Sequence, residues 1–332
     1  MDLTGCPTLS VVMPTHNEAA ALPETLSRVI RALDDALWPV WEIVVVDDGS
    51  TDDTVAKLAA MAEPRLRVVS QTNQGRMPAR RRGLDEATGE LVLFLDSRVW
   101  VGDDALRFMR AQLAADPAAR IWNGHAITLS DARPWTRFWD AITFLAWRGY
   151  LRNPTTTSYG AEDFDHFPKG TTMFLAPRAW LIEASDGVES LSSDPALAND
   201  DTLMIRALLD HGRIHISPEF DCYYRPRQTL DAFLRSAYHR GSVFVDGHLR
   251  PGMRFHRPFQ LLCLVLPLGG LWACRRPRRL LAVGVGGSAA LGVGARAAGV
   301  PTADAVALGL LATPFSAAYG AGIIRGFRRR RR

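Results

Sequence analysis

The chain has 332 residues, with 39 lysines and arginines against 35 aspartates and glutamates and a formal net charge of +4. That length holds one large domain plus an appendage, with a core that needs no covalent staples. Four scattered cysteines, Cys6, Cys222, Cys263 and Cys274, have no paired spacing, which excludes a disulfide framework or a cysteine zinc site and suits a reducing compartment.

Met1 to Ser10 leads straight into a strand pattern, without a charged-then-apolar leader. From residue 9 to about 128, short β-branched runs alternate with helical patterns. Leu9 to Met13 reads as a first strand. Leu22, Leu26, Val29, Ile30 and Leu33 follow at helical spacing, in a helix expected to start at Asn17-Glu18. Ile43 to Val46 is a strand, Asp52-Asp53 open a helix, and Leu66 to Val69 is a strand again. Arg76 to Ala87 reads as helix, Leu91 to Leu95 as strand, Asp103 to Ala115 as helix and Ile121 to Leu129 as strand. Such alternation predicts a mainly parallel, doubly wound α/β sheet.

Pro134 to Arg152 sets Trp135, Phe138, Trp139, Ile142, Phe144 and Trp147 mostly on one side of a helix. That face suits a core, or an acceptor or bilayer surface where tryptophan is favoured. Asp200-Asp201 lead a helix ending at Gly212, and Arg213 to Ser217 is a strand. Beyond Pro258 the chain turns apolar and rich in glycine and alanine. Phe259 to Cys274 is short, whereas Leu280 to Val300 and Ala303 to Phe327 are long enough to span a bilayer. Arginine runs at 275–279 and 328–332 lie beside these stretches, which points to an anionic membrane surface rather than nucleic acid.

The chemistry-bearing residues gather at strand ends. Pro14-Thr15-His16-Asn17-Glu18 leaves the first strand and places the His16 ring and the Glu18 carboxylate at a crevice; alternatively Asn17 caps the following helix. Asp47-Asp48-Gly49-Ser50 leaves the second, with a glycine for the sharp turn and Asp48 able to accept from a pyrimidine N–H. The helix after Asn73-Gln74-Gly75 carries Arg76, Arg80, Arg81 and Arg82, too many for surface decoration alone. The strand Leu91–Leu95 then ends in Asp96-Ser97-Arg98.

In this order the motifs resemble the inverting family 2 glycosyltransferases of the GT-A fold, over about residues 9 to 250. The resemblance implies a mixed GT-A sheet in a catalytic domain at 1–250, with a nucleotide-binding half at 1–128 and an acceptor half at 129–250. Membrane-associated helices would occupy 251–332. Pro14, Thr15, His16, Glu18, Asp48, Arg80, Asp96 and Arg98 are the expected binding set for a nucleotide-diphosphate sugar, expected to be a UDP-sugar. Asp201, with Asp200 before it, stands where the family deprotonates the acceptor hydroxyl, and a base on the face opposite the leaving nucleotide is what inversion needs.

Two departures concern metal. The family's Asp-X-Asp is here Asp96-Ser97-Arg98, and the histidine that relatives place near position 225 is missing from Tyr223-Tyr224-Arg225-Pro226-Arg227. Either Asp96 holds Mg²⁺ or Mn²⁺ with another ligand and water, or Arg98 neutralises the leaving diphosphate through its planar fork. Arg225, Arg227 and Arg240 either bind diphosphate or pair with acids. Phe167 to Phe174 takes the place of the family's acceptor-side strand without its Gly-Gly.

The expected activity is transfer to a glycan or lipid-linked acceptor in cell-envelope or exopolysaccharide synthesis, at the cytoplasmic face of the inner or plasma membrane. Two rivals remain. One is a polyprenyl-phosphate sugar synthase, whose phosphate acceptor needs little base catalysis. The other is a catalytically inactive nucleotide-sugar-binding protein, suggested by the missing second aspartate and histidine. In the expected topology, 259–274 is re-entrant or interfacial, 280–300 crosses outward and 303–324 crosses back, which keeps both arginine clusters inside.

Overall fold

The structure is a computed structural model and describes residues 6–129, 131–187, 201–226, 229–248, 257 and 277–329. Asp200, Arg227, Phe259 to Cys274, Arg275, Arg276 and Arg330 to Arg332, all singled out in the sequence, lie outside the described residues.

Among the described residues nine strands form one sheet: β1 Leu9–Thr15, β2 Trp41–Asp48, β3 Leu66–Gln71, β4 Leu91–Leu95, β5 Val99–Val101, β6 Trp122–Thr128, β7 Thr157–Tyr159, β8 Met173–Pro177 and β9 Ile214–Tyr224. Their order is β3-β2-β1-β4-β8-β6-β9-β5, with β7 paired to β9. β3, β2, β1 and β4 are mutually parallel; β8 then runs antiparallel to β4, β6 antiparallel to β8, and β9 parallel to β6. The sheet is thus mixed: uniformly parallel from β3 to β4, and of both senses from β8 onward. β1, β2 and β4 are buried almost without interruption, as strands covered on both faces require. β3, at the edge, alternates between half-buried and exposed positions.

Helix α1, Leu22–Asp35, buries Leu22, Leu26, Val29 and Leu33, a stripe at helical spacing, and carries proline in its first turn. It starts five residues later than the sequence suggested. Asn17 sits at φ 55°, a left-handed conformation that asparagine tolerates, and α1 has no side-chain cap. The other helices beside this sheet are α2 Thr54–Ala59, α3 Arg76–Glu86, α4 Ala105–Ala115, α7 Arg178–Asp186 and α8 Asp201–Ala207.

The chain parts into two compact units. One comprises residues 1–129, 152–189 and 200–225, the other 130–151, 190–199 and 226–332. The units do not part at residue 250. The aromatic helix α5 Pro134–Ala146, its continuation α6 Arg148–Leu151 and helix α9 Leu230–His248 go with the C-terminal helices α10 Pro277–Ala297 and α11 Thr302–Arg328. In this second unit Phe138 of α5, Phe233 of α9 and Leu308 of α11 share one apolar cluster, with Trp139 and Phe315 against it. The aromatic face of α5 thus serves as core.

α9 and α11 run in the same direction, Tyr238 beside Gly322 and Ser242 beside Gly326, with their backbones in contact. A Cβ on Gly322 would overlap the Tyr238 carbonyl oxygen, so only glycine permits this approach. Among the described residues α11 is the helix long and apolar enough to cross a membrane. Leu280 to Val300, expected as another span, falls mostly within α10, which leaves Val283, Val285 and Val293 exposed.

Candidate functional site

β1 lies between β2, reached by a crossover to one side, and β4, reached by a crossover to the other. Such a switch in strand order opens a crevice at the carboxyl ends of the strands. Pro14 fits here because the pairing of β1 with β4 stops at Val12, so its missing N–H costs no bond on that side.

The loops after β1 and β2 are stitched together. The Asn17 side-chain oxygen accepts from the backbone N–H groups of Thr51 (2.7 Å) and Asp52 (3.3 Å), and Ser50 Oγ accepts from the Asn17 N–H. His16 is exposed, and its Nδ1 lies 2.9 Å from the Asp48 carbonyl oxygen. Asp48 is buried and accepts from Gln71 Nε2 (2.8 Å) and from the backbone N–H groups of Gln74 (2.9 Å) and Gly75 (2.8 Å). A carboxylate offers about four acceptor positions, which leaves one for a ligand N–H. Thr15 Oγ1 is buried with no hydrogen-bond partner among the described residues.

β8 runs against β4, so its amino end arrives beside the carboxyl end of β4, and the Asp96 N–H donates to the Thr172 carbonyl (3.0 Å). This brings Thr171 and Asp201 into the crevice. Arg80, on α3 and 3% exposed, donates from Nη1 to Asp201 (2.7 Å) and from Nη2 to Asp96 (3.1 Å). Thr171 Oγ1 also donates to Asp201. Burial alone would raise the Asp201 carboxyl, but the Arg80 and Arg76 charges and the bonds from Thr171 and Arg80 outweigh it and hold the group below the usual carboxylate range. On the same helix, Arg81 and Arg82 make exposed pairs with Asp85 and Glu86, so that part of the arginine cluster is surface.

Arg98 turns one edge of its guanidinium to Glu18: Nε lies 2.7 and 2.8 Å from the two carboxylate oxygens and Nη2 2.6 Å from Oε1. Burial would lower the Arg98 pKa, but Glu18 reverses that and the net shift is upward. The Arg98 carbonyl accepts from the Arg225 N–H (3.0 Å). The Arg225 side chain reaches Glu24 (3.5 Å) and lies over the Trp100 ring, the acid-pairing outcome of the two expected for it. Arg240, in the other unit, stacks over Trp139.

The crevice therefore joins Arg80, Asp96 and Asp201 in one cluster, His16 and Asp48 in a second, Glu18 and Arg98 in a third. Sequence reasoning gave no role to Thr171, Gln71 or Trp100; the only signal for Thr171 was its place in the segment before β8. A divalent cation does not fit this donor set. Asp96 already faces Arg80, Glu18 is engaged by Arg98, and among the described residues no three His, Cys, Asp or Glu side chains are grouped to share an ion. A separate surface hollow lined by Trp38, Pro39, Trp41 and Arg65 lies at the opposite, amino-terminal edge of β2.

Residues 10–181 match the family described as Glycosyl transferase family 2. Among similar proteins is an undecaprenyl-phosphate 4-deoxy-4-formamido-L-arabinose transferase of Sodalis glossinidius (strain morsitans). It is 40% identical over 93 residues, which is 27% of this chain and 28% of that protein. The protein of the same description from Pseudomonas aeruginosa (strain LESB58) is 34% identical over 143 residues, 38% of this chain and 42% of its own. The matched part thus spans less than half the length of either relative. In structure, a mannosyltransferase from Pyrobaculum calidifontis in complex with GDP-Man and Mn²⁺ superposes with a TM-score of 0.56 at 22% identity, covering 98% of this chain and 88% of that one. That likeness shows a shared GT-A fold.

Proposed function

The chain belongs to glycosyl transferase family 2, and from that premise we propose that it transfers a sugar from a nucleotide-diphosphate sugar, a UDP-sugar by preference, to a glycan or lipid-linked acceptor with inversion. The observation that carries this reading is the Asp96–Arg80–Asp201 cluster at the switch point of the sheet. One arginine there fixes an acid from the end of β4 relative to an acid at the start of α8.

In the transfer, the acceptor hydroxyl oxygen attacks the anomeric carbon while the bond to the diphosphate oxygen breaks. The nucleoside diphosphate leaves with that electron pair, and the hydroxyl proton passes to Asp201. A single displacement inverts the configuration. Asp96 and Asp48 orient the donor, His16 offers a ring for the base to stack on, and the remaining Arg98 donors meet the leaving diphosphate. The chain would be held at the cytoplasmic face of the plasma membrane by α11, in cell-envelope polysaccharide synthesis. The exposed apolar side chains of α10 and α11, among them Val293 and Leu310, support that placement.

A phosphate acceptor on a polyprenyl carrier is the second reading, and one observation favours it. Asp201 is ion-paired and held in its ionised form, which makes it a weak base, and a phosphate needs none.

Thermal-shift titration with UDP-, GDP- and dTDP-sugars tests the donor, since a ligand of the folded state raises apparent stability with concentration. Proton NMR of the first-formed product reads the anomeric configuration. Retention, or no shift with any donor, would refute the proposal.

A further inference from the structure

We infer that this crevice handles the donor diphosphate with a fixed arginine, Arg98 clamped by Glu18, in place of a divalent cation. The inference rests on the donor reading given above and adds how the leaving group's charge is met.

The first ground is position. Arg98 stands two residues after Asp96, in the short loop between β4 and β5. Ser97 pins that loop: its carbonyl accepts from Thr25 Oγ1 (2.9 Å), and its Oγ donates to the Pro14 carbonyl (3.4 Å). The guanidinium is therefore mounted on a buried support at the carboxyl end of β4, as a preorganised charge should be.

The second ground is how the fork is used. Nε and Nη2 face Glu18, and among the described residues Nη1 makes no hydrogen bond. The Glu18 clamp fixes the plane of the group and leaves the Nη1 edge for a ligand. Arginine's fork matches phosphate oxygens, and charge-assisted bonds to them are among the strong ones.

The third ground is that the acids of the crevice already have partners. Asp96 and Asp201 share Arg80, Glu18 holds Arg98, and Asp48 accepts three N–H groups. A dication at Asp96 would be repelled by two guanidinium charges, that of Arg80, 3.1 Å from Asp96, and that of Arg98 on the same loop.

The fourth ground is Arg225, whose N–H bonds to the Arg98 carbonyl. Its side chain is drawn off to Glu24, so the position that returns beside Arg98 adds a second arginine–glutamate pair. Two cations, each matched to a glutamate from the β1–α1 region, stand around one loop.

The test uses the full chain purified in detergent and stripped with EDTA. Calorimetric titration with UDP and with GDP, in EDTA and then in excess Mn²⁺, is expected to give a Kd for at least one of them that changes less than about threefold between the conditions. Mn²⁺ alone, followed by the loss of its free-ion electron paramagnetic resonance signal, is expected not to bind. Arg98→Ala should weaken UDP or GDP binding by about tenfold or more and the bare nucleoside by less than about twofold, since only the former carries the diphosphate. Arg98→Asp should gain Mn²⁺ binding in the resonance assay. Nucleotide binding that appears only with Mn²⁺, or Mn²⁺ uptake by the wild type, overturns this inference and leaves the transferase reading standing. Failure of both nucleotides to bind under either condition overturns the donor reading and this inference with it.

Discussion

Arg80 and Asp201 are 121 residues apart in the chain and meet at 2.7 Å, with the arginine side chain 4% exposed. The same guanidinium holds Asp96, so two acids from distant segments keep their spacing through one buried cation. An arginine expected from sequence to reach the nucleotide is also the brace of the acids around it.

Asp201→Asn is expected to reduce transfer to a hydroxyl acceptor by about 10²–10⁴-fold, the usual worth of a positioned base, while the Kd for donor stays within a small factor. Turnover and donor affinity measured on the same preparation decide it. Equal loss of both would make Asp201 part of the frame alone. Near-normal turnover with a polyprenyl-phosphate acceptor would select the second reading.

Arg80→Gln removes the cation that Asp96 and Asp201 share and leaves Asp201 only the Arg76 charge. Breaking a fully buried pair costs roughly 3–5 kcal/mol. Both acids keep some contact with water, so we expect about 2 kcal/mol of lost stability, below that range. Urea denaturation of the two proteins measures it, and an unchanged midpoint would show that the brace adds nothing.

The Asp201 carboxyl titrates lower in the folded chain than in the unfolded one, where it takes up a proton near pH 3.9. The unfolded state then binds that proton first, so the stability owed to this group is complete above about pH 4 and is lost as pH falls through the lower folded value. The stability difference between wild type and Asp201→Asn should accordingly be flat from about pH 7 to 5 and shrink only below about pH 4. Denaturation curves across that range would expose a different sign, such as a difference that grows on acidification.

Gly49 has φ 73°, and a Cβ there would stand 2.7 Å from the Asn73 nitrogen. Gly49→Ala should push the Asp48 turn away from the Gln74 and Gly75 N–H groups. A stability loss of about 1–3 kcal/mol is expected, from strain of this size, together with weaker donor binding. Thermal unfolding with and without nucleotide reports both, and an unaltered nucleotide shift would place Asp48 outside the donor site.

Membrane attachment is tested by single cysteines introduced at 277, 301 and 325 in a cysteine-free background. An impermeant thiol reagent applied to intact cells is expected to label only 301. Labelling at 277 or 325 would invert or remove the proposed topology.

Much of this was readable from sequence because β1, β2 and β4 are largely apolar runs of strand length, and each is followed by acidic or polar groups at the same sheet edge. The second half was harder. β5 and β7 are three residues each, too short to show a period, and the antiparallel entry of β8, which delivers Thr171, depends on distant pairing that no local pattern encodes. Asn17 was ambiguous for a related reason. A side chain able to cap its own helix bonds instead to a loop more than thirty residues away. Arg98 and Glu18 were each visible as crevice residues, but their pairing was not, since ion pairs between loops leave no periodic trace.

Because α9 and α11 lie side by side in the same sense, their carboxyl-terminal ends come level, Val245 of α9 against Gly326. Each such end carries a partial charge of about −0.5, so two neighbouring ends make roughly one negative charge. Arg325 and Arg328 occupy the last turn of α11 at that end, with the Arg325 guanidinium over the Tyr238 ring. Part of the basic tail is thereby committed to calming two parallel dipoles within the protein. Under the membrane attachment proposed above, these two arginines add less pull on an anionic surface than the same residues on a free tail.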